Sequence, residues 1–256
     1  GDKMGITTEQ LRSIAAQRPS GTEIFPGSCK NDILDYALYM SGSRLIDVKN
    51  GTCDFTSDYF IGLLEYANEY MSSLDTDAYF DDSFWDRYAT MYADESSLLL
   101  ISHLNDYADI YTFEHENFGE PATAVGFPVE SGIGSAFEID TGFAISSSVN
   151  KEGAWRFVRT LLLPDYQDYV DCFPVRNDSL QKKAEKAMTH DSSRVTNPIT
   201  VMGHMMLSSG TMGIGEPAQA DIDKVNAVIN SVQNIHKYNT TVSDIISEEA
   251  SRYFNG

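Results

Sequence analysis

The chain has 256 residues, enough for one large domain or two small ones. Acidic residues number 38 against 18 basic ones, and the formal net charge of −20 repels phosphate backbones and anionic lipid, which sets the chain against nucleic-acid partners. Hydrophobic residues make up 42%, so the acidity belongs to a globular chain rather than a disordered one.

Thr7 to Gln17 reads as a short amphipathic helix, capped by Thr7 or Thr8, with Leu11, Ile14 and Ala15 apolar. Pro19-Ser20-Gly21 and Pro26-Gly27 break the chain before a second helix from about Asn31 to Met40, capped by Asn31 or Asp32. Asn50-Gly51, between Leu45-Ile46-Asp47 and Cys53-Asp54-Phe55, predicts a hairpin. Ser57 opens a third helix to about Met71, and another is expected from Ser83 to Met91. Leu98 to Ile101 reads as a buried strand, Asn105 to Tyr111 as a helix start, and Val125 to Val129 as a second strand. A glycine loop follows, then a third strand from Phe137 to Ile145. Ser148 or Asn150 caps a helix through Leu163, and Pro164 opens a short one. Helices are predicted over Ser179 to Met188, Asp221 to Gln233 and Val242 to Phe254, with a loop from Ser208 to Pro217. The class is mixed α/β and helix-rich, without internal repeats.

Most catalytic signatures are missing: there is no G-x-S-x-G, H-E-x-x-H or P-loop. Cys29, Cys53 and Cys172 are far apart and make no C-x-x-C, which fits neither a zinc site nor a disulfide framework, although one pair can still bridge. The five histidines, 103, 115, 190, 204 and 236, are scattered and read as structural or solvated. Gly132-Ile133-Gly134 and Gly213-Ile214-Gly215 lack the third glycine of a dinucleotide fingerprint. The acidic run from Asp75 to Asp82 has Phe80 and Asp86 where a calcium loop needs Gly and Glu. Glu138 and Asp140 sit two apart on the predicted third strand and so share a face. Such a pair suits a glycosidase acid and base, a hydroxyl-binding edge without chemistry, or a plain solvent-facing edge. No metal or cofactor is called for.

Residues 98 to 178 carry a recurring pattern. The apolar Leu98-Leu99-Leu100-Ile101 leads into the polar Ser102-His103-Leu104-Asn105-Asp106-Tyr107. Gly126-Phe127-Pro128-Val129, a glycine loop and Gly142-Phe143-Ala144-Ile145-Ser146 follow. Then come Asn150-Lys151-Glu152-Gly153-Ala154-Trp155-Arg156-Phe157 and Pro174-Val175-Arg176. In order and spacing this resembles the extracellular solute-binding proteins of ABC importers, of the maltose- and oligosaccharide-binding type. Phe55 to Tyr70 and Asp244 to Gly256 resemble that family's segments as well. Tyr107 stands where the family often has Trp, and Ser147-Ser148-Val149 where a lysine is common.

The resemblance implies a type II periplasmic-binding-protein-like second lobe, spanning residues 1–256 as one region, with the first lobe largely missing. Residues 98–129 would then be an excursion toward that first lobe. It further implies a monomer that is not an enzyme. Its full-length form would be anchored outside the cell as a lipoprotein, taking up a small solute, a sugar, for importer membrane subunits. Sugar recognition needs aromatic faces against ring C–H groups and polar side chains for hydroxyls. The aromatic candidates are Trp85, Tyr107, Phe127 and Phe143; the polar ones are Asn105, Asp106, Glu130, Glu138 and Asp140. Trp155 reads instead as core. The alternatives are a surface interaction module without transport and a glycan hydrolase using Glu138 and Asp140.

Overall fold

The computed structural model describes residues 4–47, 49–71, 87, 90–92, 94–132, 134–139, 141–147, 150–189, 216–236 and 240–255. Most of the expected helix from Ser83 to Met91, the residues Trp85 and Asp140, and most of the 208–217 loop lie outside them.

Helix α1 spans Thr8–Ala15. Thr7 caps it reciprocally: its hydroxyl accepts from the Gln10 N–H, and the Gln10 side chain accepts from the Thr7 N–H at 2.8 Å. Leu11 and Ala15 are buried, whereas Ile14 faces solvent. Helix α2 runs Lys30–Leu45, starting one residue earlier and ending five later than expected. Asn31 and Asp32, expected as caps, therefore lie inside the first turn; the cap position falls to Cys29, whose N–H donates back to the Asp32 carboxylate at 2.8 Å. Strands β1 (Ile46–Asp47) and β2 (Thr52–Cys53) pair antiparallel, and Gly51 takes a positive φ of 65° in the turn. Helix α3 is Asp58–Glu69.

Two of the three expected strands differ. Leu98 to Ile101 forms no strand; its neighbour Ser97 makes one isolated bridge, to Glu23. Val125 to Val129 is likewise irregular, because its backbone bonds diverge: the Phe127 N–H goes to Gly134 O and the Val129 N–H to Ile6 O. Both runs are apolar because they pack on the core, not because they pair in a ladder.

Helix α4 (Asp109–Thr112) continues into a π-helical turn, Phe113–Phe118. Strand β3 is only Ala136–Glu138, shorter than the predicted Phe137 to Ile145. Helix α5 (Lys151–Thr160) starts at Asn150, whose side chain accepts from the Gly153 N–H at 3.1 Å. Helices α6 (Pro164–Gln167), α7 (Asn177–Ala187), α8 (Gln219–Ser231) and α9 (Thr240–Asn255) follow. Strand β4 (Asn234–His236), between α8 and α9, was not foreseen. It pairs parallel with β3, Phe137 opposite Ile235 and Glu138 opposite His236.

The described residues are helix-rich mixed α/β, 50% helical and 5% strand, so helices rather than a sheet build the core. One buried cluster joins α1, α2, α3 and α9 to Phe127 and Val129. Phe127 stacks on Phe25 at 5.4 Å, and Tyr66 and Tyr70 meet Phe25 edge-on. A second cluster joins α4, α7 and α8 through Ile110, Ala187 and Val225, with Tyr107 at its edge in sequence. Trp155 belongs to neither cluster. It is 47% exposed, and α5 buries no residue at all, which corrects its reading as core. The three cysteines are free thiols.

Candidate functional site

After Ile101 the chain turns polar, and its own side chains fold it into a loop. Asp109 accepts backbone N–H groups from Asn105 at 2.6 Å and Asp106 at 2.9 Å. Asp106 in turn accepts from the Ala108 N–H at 3.1 Å. Tyr107 anchors the loop inward. Only 1% exposed, it sits edge-on to Phe173, and its hydroxyl donates to Asn226 Oδ1 on α8 at 2.8 Å. Lys183 of α7 ties the outer side: its Nζ lies 3.3 Å from Asp106 and donates to the carbonyls of Asp171 and Val170.

Below the loop, the π-helical turn buries Glu114. Lys224 of α8 grips both its carboxylate oxygens at 2.6 and 2.7 Å, and the Ala122 N–H donates to one of them. A π-helical turn often marks a functional site. Here its carboxylate is fully engaged, which assigns Glu114 to holding α8 against the turn.

Strand β3 brings a second polar group to the loop. Glu138, its last residue, is exposed, and its carboxylate lies 3.8 Å from His103 Nδ1. That distance is too long for a hydrogen bond, so the two are neighbours that attract when the imidazole is protonated. His103 and Glu138 thereby meet where the parallel β3–β4 pair reaches its carboxyl end, and Asn105 and Asp106 follow His103 along the loop.

The other candidates go elsewhere. Phe127 is 6% exposed in the first cluster and Tyr107 is spent on the second, so neither ring offers a face to a solute. Their apolar surroundings recruit them: an aromatic beside a strand-like run is also what a core uses. Glu130 pairs with Arg44 of α2, whose guanidinium lies 3.7 Å over the Tyr59 ring. Phe143 is 55% exposed in an irregular stretch.

Sequence reasoning missed three members of the site. By sequence His103 reads as structural or solvated, although it lies in the same polar run as Asn105. Asp109 follows Asn105 and Asp106 by four and three residues, a spacing that lets a carboxylate close on preceding N–H groups, and this signal was readable. Lys183 arrives from a distant helix and left no local trace.

A separate cleft of about 210 Å³ is lined by Arg18, Thr22, Glu23, Glu69, Tyr70 and their neighbours. Burial, with Glu69 beside it, pushes the Tyr70 phenol up to about 12. The cleft falls below the roughly 300 Å³ at which small-molecule sites begin. Among the described residues no cluster of His, Cys, Asp or Glu could hold a metal ion, and no helix is long and apolar enough to cross a membrane. No protein-family model matches the chain, and no curated protein matches it.

Proposed function

We propose that this chain is the second-lobe portion of an extracellular solute-binding protein, type II periplasmic-binding-protein-like, that captures a carbohydrate for an ABC importer. In that role it binds without turnover, and its full-length form is a surface lipoprotein that meets the importer's membrane subunits. The observation that carries the reading is the polar loop at the carboxyl end of the parallel β3–β4 pair. Parallel strands need a long crossover, here the segment that contains α5 to α8, and open α/β folds take ligands beyond the carboxyl ends of their strands. Asn105, Asp106 and Glu138 supply donors and acceptors of the kind that hydroxyl groups require, and they stand in the family-like order of motifs. The aromatic platform would come from Phe143 or Trp85 rather than from Tyr107 or Phe127.

The test is calorimetric titration of the chain with a panel of mono- and oligosaccharides, with product analysis. Saturable binding without product is expected. Asn105→Ala and Glu138→Gln should each weaken it about tenfold, the equivalent of ~1.4 kcal/mol. Sugars that fail to saturate the chain even at about 10 mM overturn the reading, since binding that weak supplies under ~3 kcal/mol. Release of reducing ends would instead favour the hydrolase alternative.

A second reading, a surface interaction module without transport, draws on α5, where Trp155 and Phe157 stand 47% and 62% exposed on a helix that buries nothing.

A further inference from the structure

Asp109 opens α4, yet its carboxylate serves the residues that precede the helix. One oxygen, Oδ2, accepts from two consecutive backbone N–H groups, those of Asn105 and Asp106. Asn105 and Asp106 are the loop residues that the carbohydrate reading assigns to the candidate site. We propose that Asp109 is the positioning residue of this loop: its ionised carboxylate holds the Asn105 and Asp106 backbone in binding geometry, and protonation slackens that hold. The consequence for solute affinity rests on the carbohydrate-binding reading above; the consequence for the backbone does not.

The physical basis is a conflict between burial and hydrogen bonding. Burial raises the Asp109 carboxyl above its ordinary value, and the nearby Asp106 carboxylate adds to this, while the two N–H groups and Lys183 of α7 pull the other way. On α8, which packs against α4, Lys224 is engaged with Glu114 and lies 3.7 Å from Asp221, so the α8 cation is directed to other carboxylates. An ionised carboxylate kept there costs stability, and what it provides in return is two charge-assisted bonds, each about twice as strong as a neutral one. Protonation removes the charge, leaves Oδ2 a weaker acceptor, and relieves the desolvation cost. The loop loosens while the fold as a whole does not weaken. That separation distinguishes a positioning residue from a structural one.

The experiment is an amide-resolved NMR titration of the full chain from about pH 7.5 to about pH 3.5. The Asn105 and Asp106 amide protons should move together, with one midpoint above the ordinary carboxylate value of 3.8. Asp109→Asn should abolish that step, and its thermal midpoint at pH 7 should equal or exceed that of the parent chain. Asp106→Asn should leave the step in place. Amides that stay still, or that titrate unchanged in Asp109→Asn, overturn the proposal, and the parent chain alone decides the first of these. Where a saccharide binds, Asp109→Asn should weaken it about tenfold and flatten its dependence on pH in this range. Amides that titrate as expected in a chain that binds no saccharide would support the role of Asp109 and overturn only the carbohydrate reading.

Discussion

Tyr66 and Tyr107 are both buried phenols, and they differ in what their hydroxyls meet. The Tyr66 ring fills the first cluster between Phe25, Tyr70 and Phe127, and its hydroxyl has no hydrogen-bond partner among the described residues. Burial raises the Tyr66 phenol far above its ordinary value, as expected for a hydroxyl enclosed by aromatic rings. Tyr107, equally enclosed, donates to Asn226. Removing the oxygen should therefore have opposite effects. Tyr66→Phe deletes an unsatisfied group and should leave stability unchanged or raise it by about 1 kcal/mol. Tyr107→Phe should lower it by about 1 kcal/mol, because Asn226 loses its donor. Urea denaturation of the two variants decides the matter: a loss in Tyr66→Phe or none in Tyr107→Phe would contradict the hydrogen-bond assignment. At this level the sequence was legible in part. Tyr107 is recognisable as an aromatic of a core or a cleft, but that its hydroxyl finds a partner depends on α8 arriving from far along the chain, and no local pattern singles out Tyr66.

Helix α5 and the glycine loop illustrate how differently two segments can depend on their surroundings. Asn150, the following polar first turn and the apolar positions of Ala154, Trp155, Phe157 and Val158 specify α5 locally, and it forms where the sequence predicts. Nothing buries it, so Trp155→Ser should change stability by less than about 0.5 kcal/mol. The loop from Glu130 to Ser135 is the reverse case. Gly134 runs so close to Phe127 that a Cβ there would fall on the Phe127 carbonyl, whose own N–H donates to Gly134 O at 2.7 Å. Gly134→Ala must push Phe127 out of its stack with Phe25 and should lower stability by about 2 kcal/mol or more. Thermal melts of both variants test the contrast, and a costly Trp155→Ser would show that α5 is covered after all. The same contrast explains the strand errors. Apolar runs at Leu98 to Ile101 and Val125 to Val129 announce burial, but a strand also needs a partner ladder, and these runs have one isolated bridge and two divergent bonds instead.

The whole chain carries a net charge of −20, and six of its aspartates fall into two groups with opposite pH behaviour. Asp35 and Asp109 are raised, chiefly by burial, so their ionisation penalises folding at neutral pH and the penalty lifts as pH falls through their folded values. Asp47, Asp94, Asp168 and Asp178 are lowered by hydrogen bonds, from Asn50, Ser96, Lys182 and Arg176 respectively, and their contribution is lost only as pH drops below the ordinary 3.8. Between these limits protonation also eases self-repulsion. The thermal midpoint should therefore rise from neutral pH to a maximum near about pH 4–5 and fall steeply below it. Calorimetric melts across this range check it; a midpoint that declines steadily from pH 7 would mean that the raised aspartates and the net charge do not govern stability.

By itself the sequence determined the class, most helices and their caps, the Asn50-Gly51 hairpin and the polar character of the 102–106 loop. Each depends on neighbours within a few residues: a capping side chain, a 3–4 apolar spacing, a residue free to take positive φ. The tertiary structure decided which aromatics are core and which carboxylates share a site. It buried Tyr107 and Phe127, sent Glu130 to Arg44 on α2, paired β3 with the unforeseen β4, and set Glu138 beside His103. Those outcomes turn on contacts between segments dozens of residues apart. Local pattern fixes how a segment folds, but the direction a side chain faces is settled only by what packs against that segment.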